Sequence, residues 1–143
     1  LSLACKPMAI EITNKTTKTL KKALIVKAVE TALAFKKRRG DVSVVFVGDA
    51  AIRTLNRRYR KKDYITDILS FAEDEKGEFI GELIIDYKQI ERQAKRFGHS
   101  VSWELVFIII HGTLHLLGYE DESEKGRKTM EKIGYELIKK ISV

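Results

Sequence analysis

Apolar positions along the chain recur with two different periods, and the changes between them mark out its elements. Residues 9–13 (Ala-Ile-Glu-Ile-Thr) alternate as an edge strand does, and Asn14 to Thr19 then supplies cap residues for a helix. From about Thr17 to Arg39, Leu20, Ala23, Leu24, Ala28, Ala32 and Phe35 fall at three- and four-residue steps, which predicts one inward helical face with Gly40 as its stop. Val42 to Val47 is a β-branched run closed by Gly48-Asp49, and Ala50 to Arg60 follows as a short helix with Ile52, Leu55 and Tyr59 on one side. Two strands, Asp67 to Ala72 and Glu78 to Ile85, flank Asp74-Glu75-Lys76-Gly77 and predict a hairpin.

Asp86 is placed to cap a helix whose apolar side is Ile90, Ala94 and Phe97, with Gly98 as its stop. Ser100 or Ser102 opens the next. From Trp103 to Leu117 nearly every residue is apolar except Glu104 and two histidines, the composition of a helix buried on most sides. A last helix from Ser123 to Ile141 presents Met130, Ile133, Leu137, Ile138 and Ile141 inward. Strands interleaved with helices predict a layered α/β or α+β fold, and neither repeats nor low-complexity segments interrupt it.

The 143 residues, 44% hydrophobic, suffice for one core, so residues 9–143 are expected to form a single domain after a short leader over 1–8. Leu105 to Ile110 is the longest apolar run, far below the ~20 residues of a membrane span. No membrane association is expected. A lone Cys5 argues against a disulfide framework and for the cytoplasm. The net charge of +7 biases the surface toward polyanions such as RNA.

The chemistry concentrates on the apolar helix. His111 and His115 are four residues apart, so both rings lie on one helical face, within reach of a single cation. Gly118 can end the helix in the left-handed conformation and return the chain toward the same point, where Asp121 is the leading third ligand and Glu120 and Glu122 its rivals. Asp121 with Glu124 also reads as a capping box for the last helix, which would leave it no ligand role. Two imidazoles, one carboxylate and a water make a recognised catalytic zinc set that also suits iron or nickel. The arrangement is similar to the metzincin peptidase site, but the glutamate that serves those enzymes as general base is here Gly112, which argues against proteolysis.

The run His111-Gly112-Thr113-Leu114-His115-Leu116-Leu117-Gly118-Tyr119-Glu120-Asp121 resembles the signature of the YbeY endoribonucleases, His-Gly-x-Leu-His-Leu-x-Gly-Tyr/His-Asp-His. Asp121 stands where that family has its third histidine. The resemblance extends upstream from Leu55 to Phe71 through Asn56, Tyr59-Arg60, Asp63 and Thr66-Asp67-Ile68-Leu69-Ser70, with Ile65 in place of the family's proline. It implies a four-stranded mixed sheet with helices around it and a metzincin-like central helix carrying the ligands of one divalent ion, zinc by default. It also implies cleavage of single-stranded RNA in rRNA maturation and ribosome quality control, with rRNA and the ribosome or its small subunit as partners.

Arg60 is the expected phosphate contact, because a guanidinium forks onto phosphate oxygens and stabilises charge developing on them. Arg57, Arg58, Lys61 and Lys62 are expected to track an RNA backbone toward the metal. Ser70 and Phe71 are expected to line the cleft, Glu82 is a candidate general base, and His99 is a turn residue. Lys36 to Arg39 gets no site role, since cations at a helix C-terminus are favoured whatever the partner. The rival readings are a non-catalytic rRNA-binding assembly factor with a structural metal and, less favoured, a metallopeptidase.

Overall fold

The computed structural model describes residues 9–73 and 77–143. In chain order the elements are β1 (Ile10–Asn14), α1 (Lys22–Phe35), β2 (Asp41–Val47), α2 (Asp49–Arg60), β3 (Ile68–Ala72), β4 (Phe79–Asp86), α3 (Tyr87–Phe97), α4 (Val101–Leu116) and α5 (Glu124–Ile138). The strands form one sheet of order β1-β2-β4-β3, parallel through the first three and antiparallel between β3 and β4. This is the mixed four-stranded α+β sheet that the resemblance implies, and β3 and β4 are the expected hairpin partners. The hairpin-turn residues Asp74, Glu75 and Lys76, like the expected leader, lie outside the described residues.

Strand alternation divides the core between the two sheet faces. Val42, Val44, Phe46, Leu83 and Ile85 point into the larger cluster, together with buried residues of α1, α4 and α5 and Ile90 of α3. Val47, Leu69 and Ile84 point the other way, onto Ile52 of α2. The central helix α4 touches β3 and β4 on one side and α1, α3 and α5 around the rest. That placement explains its near-uniform apolar composition. Each fully buried Leu or Ile there contributes on the order of 1.5–3 kcal/mol.

Three helix ends differ from the expectation for local reasons. Helix α1 starts at Lys22, not Thr17, because Asn14 organises the preceding residues: its side chain accepts from the Thr16 amide (3.0 Å) and hydroxyl (2.7 Å) and donates to the Lys18 carbonyl (2.8 Å). The helix ends at Phe35, short of Gly40, with Lys37 turning left-handed at φ 51°. Its inward face is Ile25, Ala28, Val29, Ala32 and Leu33, so Ala23 and Phe35 are exposed. Gly40 serves strand packing, since a Cβ there would lie 2.6 Å from the Glu78 carbonyl oxygen. Helix α5 ends at Ile138, with Ile141 still buried beyond it. Phe97 and Tyr59 are also exposed, at the ends of their helices.

Candidate metal centre and cleft

Helix α4 carries His111 and His115 on the same face, with their rings nearly perpendicular and centroids 4.7 Å apart. The chain leaves the helix through Gly118 at φ 99° and brings Asp121 back to both rings. Asp121 Oδ2 lies 3.3 Å from His111 Nε2 and 3.1 Å from His115 Nε2, and the two nitrogens are 3.2 Å apart. Donors about 2.1 Å from a tetrahedral zinc ion are separated by about 3.4 Å, so the donor set fits a divalent ion of that size. His115 Nδ1 is 3.0 Å from the Tyr119 carbonyl, which can only accept. The hydrogen therefore sits on Nδ1, and Nε2 keeps its lone pair for a metal.

Burial, and then the neighbouring His115, hold the His111 imidazole below its ordinary pKa, in the neutral form a ligand requires. For Asp121, burial pushes the carboxyl up, but the two imidazoles outweigh it and hold the group below the usual carboxylate range.

Neither rival of Asp121 belongs to the cluster, and Glu120 has another task. Glu120 accepts from the amides of Glu122 (2.8 Å) and Ser123 (3.0 Å) and from the Ser123 hydroxyl, and Ser123 in turn caps α5 by accepting from the Gly126 amide at 2.9 Å. The cap of α5 is thus Ser123, not Asp121, and the Asp121–Glu124 capping box does not form. Among the described residues, His111, His115 and Asp121 are the group of His, Cys, Asp and Glu side chains whose ligand atoms could hold an ion, lying within 4.8 Å of one another.

These three residues form one wall of a cleft of about 280 Å³ that Arg60 and Ser70 also line. Arg60 arrives there because α2 ends at it, Lys61 turns left-handed (φ 57°), and buried Asn56 pins the returning chain through the Tyr64 carbonyl at 2.9 Å. The Ser70 hydroxyl donates to the Gly112 carbonyl at 3.2 Å, tying the edge strand to the helix. Gly112 itself is the contact surface, since a Cβ there would lie 2.5 Å from Ile68 Cδ1 and 3.1 Å from Leu83 Cδ2. A side chain after the first histidine would run into the sheet.

Other expected residues stand elsewhere. Arg57, Arg58, Lys61 and Lys62 are exposed around the end of α2 and do not line the cleft; Arg57 pairs with Asp63 at 3.5 Å. Phe71 does not line it either, because it points to the α2 face of the sheet and meets Tyr59 edge-on, centroids 5.4 Å apart. Glu82 shares that opposite face, where it accepts from the Ser43 hydroxyl at 3.1 Å. His99 stacks on Trp103, centroids 4.0 Å apart.

Besides Asp121, the carboxylate that lines the cleft is Asp67, which stands in the resembling stretch without an expected role. Its Oδ1 accepts from the Ile68 amide (2.7 Å), and its Oδ2 from Gln93, whose amide also reaches buried Glu104, each at 3.2 Å. Burial pushes the Glu104 carboxyl up. Asp67 also raises the pKa of His111 slightly, so its charge favours a cation at the centre. Thr66, Ile68, Phe107 and Ile108 complete the lining. The signal for Asp67 is the Thr66-Asp67 pair in the resembling stretch; for Phe107 it is only the four-residue step to Trp103 and His111.

A family profile described as Endoribonuclease YbeY matches residues 4–142. The chain belongs to the YbeY family. It is 41% identical over 123 residues to an Endoribonuclease YbeY of Carboxydothermus hydrogenoformans, covering 79% of this chain and 86% of that one. It is 33% identical over 136 residues to the Endoribonuclease YbeY of Phytoplasma mali, covering 95% and 90%. A solution structure of a Thermotoga maritima protein superposes with TM-score 0.62 at 26% identity, covering 92% of this chain and 90% of that one. In this YbeY chain no helix among the described residues is long and apolar enough to cross a membrane.

Proposed function

We propose that the protein is a metal-dependent endoribonuclease that cuts single-stranded RNA, acting in the cytoplasm in rRNA maturation and ribosome quality control with the small ribosomal subunit as partner. The observation that carries this reading is the convergence of His111 Nε2, His115 Nε2 and Asp121 Oδ2 on one wall of a cleft that also holds Arg60. The names of the relatives support the nuclease activity, and the net charge of +7 supports a polyanionic substrate.

A divalent ion bound there, zinc by default, would supply Lewis-acid chemistry, activating a water and polarising a phosphoryl oxygen. His111, His115 and Asp121 would hold it, with the Tyr119 carbonyl fixing the orientation of the His115 ring. Arg60 binds the scissile phosphate and stabilises charge that develops on its oxygens. Asp67 adds negative charge that favours the cation, and Ser70 fixes the distance between helix and sheet. Arg57, Arg58, Lys61 and Lys62, outside the cleft, attract the RNA backbone toward it.

The test is the cleavage rate of a labelled single-stranded rRNA fragment by zinc-loaded protein beside identically purified, folded His115→Ala. Cleavage by the wild type alone supports the reading. Equal rates would transfer support to a non-catalytic assembly factor whose metal ties α4 to the segment leading into α5.

A further inference from the structure

Helix α4 repeats an aromatic residue every fourth position ahead of its ligands: Trp103, Phe107, then His111. The Trp103 and Phe107 rings stack with centroids 5.0 Å apart and an interplanar angle of 8°. Tyr135 of α5, 45% exposed, leans on Phe107 at 5.0 Å. The Phe107 ring lies over Gly134 of α5, where a Cβ would come within 3.1 Å of it. Beside the same ring lies a second pocket of about 180 Å³ between α4 and α5, walled by Arg127 and Glu131. It shares Phe107, His111 and Asp121 with the cleft at the ligand cluster, so the two are continuous.

Resting on the endoribonuclease reading, we infer that this second pocket is a base subsite in which one nucleotide beside the scissile phosphate stacks its base on Phe107. An aromatic floor is what a single-stranded base seeks, since base–aromatic stacking is tolerant of sequence and unavailable to a paired base inside a helix. The Glu131 carboxylate on the wall repels a phosphate but accepts hydrogen bonds from the amino and imino groups of a base edge. Arg127 is anchored by the carbonyls of Asp121 (3.4 Å) and Glu122 (3.2 Å), which places its positive charge at the rim beside the sugar-phosphate chain. Continuity with the cleft and this polarity favour RNA over an apolar peptide as the occupant.

The probe is a set of non-cleavable 2′-O-methyl single-stranded RNAs carrying the fluorescent base 2-aminopurine at successive positions, titrated into wild-type protein and Phe107→Leu. The leucine keeps apolar volume but offers no ring. The expected result is quenching at one position with the wild type, lost in Phe107→Leu, with affinity falling roughly 5- to 100-fold. Gly134→Ala, which presses on the same ring, is expected to weaken the quench without touching RNA. Position-independent fluorescence, or equal quenching by Phe107→Leu, overturns the subsite. Cleavage of the unmodified RNA by wild type is measured alongside. Cleavage without positional quenching overturns the subsite alone, positional quenching without cleavage supports it and overturns the nuclease reading, and the absence of both overturns both.

Discussion

The ring of His115 is held from behind by Tyr119, whose carbonyl oxygen lies 3.0 Å from Nδ1. Because Tyr119 follows Gly118, the turn that delivers Asp121 to the cluster is also the turn that orients the second histidine. One short segment therefore sets both the position of Asp121 and the direction of the His115 ring.

Replacing Asp121 tests whether the carboxylate is the third ligand. Asp121→Ala is expected to lower zinc affinity by about a hundredfold or more, while Asp121→His restores most of it, because an imidazole serves the same position. Competition with a chromogenic chelator measures both. Unchanged affinity in Asp121→Ala would remove Asp121 from the ligand set.

Arg60→Ala is expected to retain zinc and fold while the cleavage rate falls by about 10²–10³, the usual loss of one preorganised charge at a transition state. Arg60→Lys should recover only part, since an ammonium does not fork onto two oxygens. A variant cutting at the wild-type rate would return Arg60 to the ordinary surface charges.

At Gly112 even a methyl group meets Ile68 at 2.5 Å and Leu83 at 3.1 Å. Gly112→Ala is expected to destabilise the protein by about 1–3 kcal/mol through overpacking, despite the better helix propensity of alanine. Urea unfolding measures it, and an unchanged midpoint would mean that α4 lifts freely from the sheet.

A pH dependence is expected away from the metal. Asp86 is fully buried, and burial, then its neighbour Asp49, pushes it up to about 7. Asp49, held by Arg92 at 3.1 Å, is lowered to about 2. Asp86 Oδ2 is buried without a hydrogen-bond partner, an environment that disfavours the charged carboxylate. The folded state therefore binds about one proton more than the unfolded chain between pH ~4 and ~7, and stability falls as pH rises through that window. The Asp49 contribution is lost at the acid end, as pH falls toward 2. Asp86→Asn, which imitates the protonated side chain, should flatten the slope between pH 4 and 7 and make the variant the more stable form at pH 8. Parallel stability curves for the two proteins would sink this account.

The periodic signals identify every strand and helix of the described chain, because α4, β2 and β4 are built from long apolar runs that only a buried element can satisfy. Helix ends are less legible. Asn14 and Lys37 set the limits of α1 through local side-chain and backbone choices that do not alter hydrophobic periodicity. The histidine spacing marks a candidate ligand pair from sequence alone, but the choice of Asp121 over Glu120 as its third member depends on which carboxylate the α5 cap consumes, and only the folded turn decides it. Glu82 illustrates the limit: its type suits a base, yet strand alternation sends it to the face away from α4.

All three residues of the candidate metal centre fall between His111 and Asp121, at one helix end and the turn after it. Closing so short a loop costs little chain entropy, and contacts this local form early in folding. Arg60 and Ser70, by contrast, reach the same point only after the distant edge strand has found its register against β4. The cleft is thus assembled from one local segment and one distant strand, and it is the pairing of β3 with β4 that joins them.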